Sequence, residues 1–126
     1  LKKLVVNNAK RGAYTAKYWQ VLESTSLGLP FSMDVRGVPA YHVFPVILPE
    51  TIIRHDFMTG LRDAGIQSSI HYRPIHTFTY YQKKYGKVRL PITEQVGQRE
   101  VTLPLYPTMG EEKINLVVAQ VKQLLA

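Results

Sequence analysis

The sequence predicts an α+β domain: a small mixed or antiparallel sheet covered by helices and preceded by one long amino-terminal helix. Three observations point there. Apolar residues keep helical spacing at both ends, at Tyr14, Tyr18, Val21 and Leu22 and again at Ile114, Val117, Val118, Val121, Leu124 and Leu125. Between them only short stretches, residues 40–48, 66–72 and 101–105, have the extended character of strands. Long connections separate these, and elements alternating in this way pack in layers.

In order, residues 1–24 read as one helix whose basic residues mostly avoid the apolar stripe. Leu1, Leu4 and Val5 carry the apolar character back to the start, beyond what one domain would cover. Residues 25–39 hold two glycines and two prolines without a sustained period, a loop with room for a short extended piece near Phe31. Residues 40–48 are the best strand, with Tyr41, Val43 and Ile47 on one face and Phe44, Val46 and Leu48 on the other. Pro45 cannot donate to a ladder, which places this strand at an edge or gives it a bulge.

Residues 51–64 read as a helix with Ile53, Phe57, Leu61 and Ala64 inward, closed by Gly65 in a left-handed cap. Alternation over residues 66–72 then turns Ile66, Ser68, Ile70 and Tyr72 to the core and Gln67, Ser69 and His71 away from it. Two short helices follow, 77–85 with Phe78, Tyr81 and Tyr85 in line, and 91–99 with Pro91 in its first turn. Residues 101–105 supply a last extended segment, and Thr108 and Glu111 stand at capping-box spacing before the final helix.

At 126 residues the chain is one domain able to bury roughly two-thirds of its unfolded surface. Cysteine is absent, so there is neither a disulfide framework nor a thiolate metal site, which fits a reducing compartment. No apolar run approaches the roughly 20 residues of a membrane span, and no signal peptide opens the chain. It begins at Leu1, already inside a helical pattern, as expected of a fragment. The net charge of +7 favours anionic partners, but the basic residues are spread over the first helix and the turn at residues 83–89. They do not alternate with aromatics on one strand face, so a nucleic-acid platform is not expected.

Chemistry concentrates between Gly65 and His76. His71, Tyr72, Arg73 and His76 lie within six positions at the end of an extended segment, where sites are commonly built. His71 could bond a ligand or trade a proton; a partly buried imidazole bonded to a backbone carbonyl is the plainer reading. Tyr72 and Arg73 could grip a phosphate or a sugar hydroxyl, against a core tyrosine beside a solvated arginine. A metal shared by His71 and His76 lacks a nearby third ligand. His42, among apolar neighbours, reads as a structural histidine, and His55 as exposed. No Gly-rich phosphate loop, nucleophile elbow or zinc-helix motif occurs.

Several strings occur together in one order: Tyr41-His42-Val43-Phe44, Gly65-Ile66, and His71-Tyr72-Arg73-Pro74-Ile75-His76. Leu90-Pro91-Ile92-Thr93-Glu94 and Leu103-Pro104-Leu105-Tyr106-Pro107-Thr108-Met109 follow. In that order they resemble the carboxy-terminal small domain of the DegT/DnrJ/EryC1/StrS family, pyridoxal-phosphate-dependent sugar aminotransferases of the type I fold. Asn7-Asn8-Ala9-Lys10-Arg11 and Tyr18 are similar to the helix joining that family's two domains. The resemblance divides the chain into a connecting helix, 1–24, and the small domain, 25–126.

The resemblance implies that pyridoxal phosphate, its Schiff-base lysine and the acidic partner of its ring nitrogen belong to a larger amino-terminal domain. None of the nine lysines here sits in that lysine's context, so this chain alone should be inactive and bind no cofactor. The intact enzyme would move an amino group from glutamate to a keto-sugar nucleotide, as in polysaccharide biosynthesis, and would work as a cytoplasmic homodimer. His71 and Tyr72 are then the first candidates for substrate contact, with Arg73 and His76 behind them. The alternative is a stand-alone binding or regulatory module that kept the fold and lost catalysis.

Overall fold

The computed structural model describes residues 2–31 and 37–126. Among the described residues the order is α1 (Leu4–Leu22), β1 (Phe44–Ile47), α2 (Arg54–Asp63), a 3-10 turn (Ile75–Thr77), α3 (Thr79–Tyr85), α4 (Pro91–Arg99), β2 (Glu100–Leu103) and α5 (Glu111–Leu125). The sheet is antiparallel, with Phe44 opposite Leu103 and Val46 opposite Val101. Single antiparallel bridges extend it, Gly28 to Ile47 on one flank and Ser69 to Thr102 on the other.

Pro45 fits this arrangement through the alternation of an antiparallel ladder. Ile47 exchanges both backbone bonds with Gly28, so Pro45, two residues back, turns its nitrogen to the same outer flank. Its missing N–H therefore takes nothing from the pairing with β2. The strand itself is shorter than the sequence implies, beginning at Phe44. His42 precedes the ladder and is exposed, where a structural histidine was expected.

One face of the sheet carries the core. Phe44, Val46, Leu48, Val101 and Leu103 meet Tyr18 and Leu22 of α1, Phe57 and Leu61 of α2, and Ile114, Val117 and Val121 of α5. Tyr18 is fully buried, tilted against Phe44 with ring centroids 4.7 Å apart, and its hydroxyl donates to the Pro104 carbonyl at 3.0 Å. Burial pushes the Tyr18 hydroxyl pKa up, and the nearby Tyr106 adds to it. The hydroxyl therefore remains a neutral donor where an exposed tyrosine would begin to ionise.

Helix α2 ends as its sequence demands. Gly65 has φ +75°, its N–H donates to the Arg62 carbonyl, and the Ile66 N–H reaches back to Leu61, both at 2.8 Å. This is a Schellman motif, with Leu61 and Ile66 both buried beneath it. It fixes where the following segment enters the sheet. The inward stripe needs correction at its ends: Ile53 caps the helix at 66% exposure and Ala64 is exposed. The helix is shorter than the stripe, so its first and last members fall outside the packed turns.

Residues 66–72 do not form a strand beyond the Ser69 bridge. Ile66 is buried and Ser68 and Ile70 are half-buried, but Tyr72 is 77% exposed rather than in the core. Alternation holds only while a ladder holds it, and this one stops before Tyr72. The 3-10 turn, α3 and α4 contain no buried residue. Phe78, Tyr80, Tyr85, Leu90 and Ile92 are all exposed, so of the apolar line expected of residues 77–85 only Tyr81 is even half-buried. Gly97 lets α4 sit on Pro74, where a Cβ would come within 2.4 Å of the proline ring.

The start of α5 departs from the capping box. Gly110, at φ +76°, occupies the cap position without a side-chain bond, and Thr108 is exposed. Glu111 instead pairs with Lys17 of α1 at 2.7 Å, which holds its carboxyl below the usual range, and the Gly110 N–H donates to the Tyr14 hydroxyl. Thr108→Ala should therefore change unfolding free energy by less than about 0.5 kcal/mol, where loss of a true cap costs about 1 kcal/mol. Urea denaturation of the two proteins measures the difference.

Candidate functional site

The Ser69 bridge sets the site. Because Ser69 stands opposite Thr102, and Thr102 opposite Pro45, their side chains share the sheet face away from the core. Glu100, two residues before Thr102, and His71, two after Ser69, fall on that same face. Glu100 is only 6% exposed, and its carboxylate accepts the Thr102 hydroxyl at 2.6 Å and the His71 backbone N–H at 2.9 Å. His71 Nδ1 lies 2.9 Å from Thr102 Oγ1 and 3.3 Å from Ser69 Oγ. Among the described residues Nε2 has no hydrogen-bond partner.

Against this wall opens a cavity of about 620 Å³. His71, Gln67 and Ser69 line it together with His42, Tyr106 and Lys113, beside apolar side chains such as Leu105, Met109 and Leu116. Lys113 donates to the Tyr106 hydroxyl at 3.2 Å and lies over its ring. No carboxylate lines the cavity among the described residues. The imidazoles, hydroxyls and ammonium group suit hydroxyl or anionic oxygens of a ligand, and the apolar part of the lining suits its carbon skeleton.

The four residues singled out in the sequence separate here. His71 is half-buried on the cavity wall. Tyr72 stands beside it outside the cavity, edge-on to the imidazole at 4.8 Å, and Arg73 is exposed, donating to Thr77 and lying over Phe78. His76 is 12% exposed in its side chain and bonds Glu94 at 3.0 Å, tying the 3-10 turn to α4. The Leu90 N–H and then His76 hold the Glu94 carboxyl below the usual range. Sequence reasoning missed Thr102 and Glu100. Their signal was a polar pair at i and i+2, interleaved with Val101 and Leu103 on one strand.

The DegT/DnrJ/EryC1/StrS aminotransferase family profile matches residues 1–122. Among solved structures the chain is similar to PseC of Helicobacter pylori, an aminotransferase involved in pseudaminic acid biosynthesis. That likeness has 20% identity and TM-score 0.90 and covers 99% of this chain and 34% of PseC. NtdA of Bacillus subtilis, solved with bound cofactor PMP, is 26% identical at TM-score 0.78, over 94% of this chain and 28% of its own. A family member from Brucella abortus is 22% identical at TM-score 0.83, over all of this chain and 34% of its own. The chain thus spans about a third of the length of these proteins.

A pyridoxal cofactor needs a lysine amine, an acidic partner for its ring nitrogen and donors for its phosphate. Among the described residues this cavity offers one lysine, Lys113, bonded to Tyr106, and the nearby Glu100 carboxylate is engaged by Thr102 and His71. The residues present do not assemble that set. What they share with the relatives is the fold and the profile, and on these the chain belongs to the DegT/DnrJ/EryC1/StrS aminotransferase family.

Proposed function

We propose that this chain is the small, carboxy-terminal domain of a pyridoxal-phosphate-dependent nucleotide-sugar aminotransferase, with residues 1–24 as the connecting helix and 25–126 as the domain. The family's larger domain would hold the cofactor and supply the amino-transfer chemistry, with glutamate as donor. This chain would line the substrate side, within a cytoplasmic homodimer, and would be inactive alone. The observation that carries the reading is the polar wall itself: His71 is anchored from behind by Thr102 and Glu100, while among the described residues its far ring nitrogen has no hydrogen-bond partner beside an open cavity.

His71 would bond a sugar hydroxyl. Tyr72 would extend the same wall, and Lys113 would answer the charge of the diphosphate. Arg73 and His76 would contribute from farther back, His76 by holding α4 through Glu94. Leu4 and Val5, exposed on α1, together with the outward apolar residues of α3 and α4, support an origin in a larger assembly over a self-sufficient module. With the larger domain joined to this chain, His71→Ala should lower kcat/KM for the keto-sugar about tenfold, the value of one hydrogen bond near 1.4 kcal/mol. Tyr72→Phe should lose less. Steady-state kinetics with both variants is the test; unaltered turnover and substrate affinity would remove both residues from the role.

A further inference from the structure

We propose that Thr102 and Glu100 are positioning residues that hold neutral His71 as its Nδ1–H tautomer, so that Nε2 meets the ligand only as a hydrogen-bond acceptor. This rests on the reading that the wall faces a sugar, and it narrows what His71 recognises there. A bare Nε2 takes a hydroxyl hydrogen. It cannot bond a keto oxygen or a phosphate oxygen, which have no proton to give. His71 would therefore read a hydroxyl of the sugar, leaving the reacting carbonyl and the diphosphate to other groups.

Counting protons along the network leads to this assignment. The Glu100 carboxylate only accepts, so the one hydroxyl proton of Thr102, 2.6 Å away, is directed to Oε1. With that proton committed, Thr102 Oγ1 faces His71 Nδ1 at 2.9 Å as an acceptor, and Nδ1 must carry the hydrogen. A neutral imidazole has a single N–H, which leaves Nε2 without one. The other carboxylate oxygen, Oε2, fixes the backbone of the same residue through its N–H at 2.9 Å. Ring and main chain are thus held by one buried group.

Glu100 and Thr102 are 6% and 5% exposed, so water competes poorly for these bonds and each is strengthened by the low local dielectric. Ser69 Oγ, at 3.3 Å from Nδ1, is a weaker second acceptor on the same side. Nothing described on the Nε2 side offers a competing acceptor. Free histidine favours the opposite tautomer, so the arrangement reverses an intrinsic preference, which makes it measurable.

The test is a long-range proton–nitrogen correlation spectrum of the 15N-labelled chain at about pH 8, where an ordinary histidine is neutral. The expected result is a protonated, pyrrole-type Nδ1 and an unprotonated, pyridine-type Nε2 for His71. Thr102→Val combined with Ser69→Ala should exchange the two signals, and Thr102→Ser should keep the wild-type pattern. An Nε2–H tautomer in the wild-type chain overturns the proposal, as does an unchanged pattern in the double variant. Should that variant fail to fold, the wild-type spectrum decides alone. His71→Ala without kinetic effect in the completed enzyme would remove the sugar-contact reading while leaving the tautomer result standing, so the two failures are distinct.

Discussion

Phe57→Ala is expected to cost about 3–5 kcal/mol of unfolding free energy, while Ile53→Ala, one helical turn earlier, should stay within about 0.5 kcal/mol. In the sequence the two occupy equivalent places on one apolar stripe. In the fold Phe57 is 2% exposed in the core, and Ile53 stands outside the first turn of α2. Deleting the phenyl ring removes its transfer energy and leaves a cavity between helix and sheet. Against a typical total of 5–15 kcal/mol this is a large fraction of the stability. Urea midpoints for the two variants, with the slope unchanged, measure it. Equal losses would mean that the stripe packs as the sequence draws it and that α2 begins earlier than Arg54.

Alkaline pH should destabilise the chain through Tyr18. In the unfolded state its hydroxyl ionises near pH 10, while burial in the folded state keeps the proton on to higher pH. Above about pH 10 the unfolded chain binds fewer protons than the native one, so stability falls as pH rises, by at most about 1.4 kcal/mol per pH unit from this group. Below that pH the contribution is fully present. Tyr18→Phe gives up the bond to the Pro104 carbonyl, about 1 kcal/mol, but also removes this slope. Parallel alkaline limbs for wild type and variant would show that Tyr18 is not the group responsible.

What could be read from the sequence follows from how local each signal is. Gly65 needs only its own φ and the helix before it, so its cap was legible, and so was the amphipathic face of α5. The antiparallel pairing of β1 with β2 links residues more than fifty positions apart and left no local mark beyond short extended runs. Thr108 and Glu111 satisfied a spacing rule, but Lys17, nearly a hundred residues earlier, took the carboxylate instead. Phe78, Tyr81 and Tyr85 have core-like spacing, but Phe78 only caps α3 and the helix has no core behind it.

The candidate site divides in the same way. His71 was legible because alternation alone puts it on the polar face. The carboxylate that holds it was not, since Glu100 on β2 meets His71 only after a bridge between two distant segments brings them side by side. His76 shows the reverse case. Its closeness in sequence to His71 suggested shared duty, yet the turn after Pro74 swings it toward Glu94 and α4.

Pro45 has one more effect. With Gly28 opposite Ile47, the antiparallel register brings Pro30 alongside Pro45, and neither has an amide hydrogen. By the same alternation the two ring nitrogens face each other across that flank, so the pairing begun at Gly28 has no donor from either side with which to continue, and it ends as a single bridge.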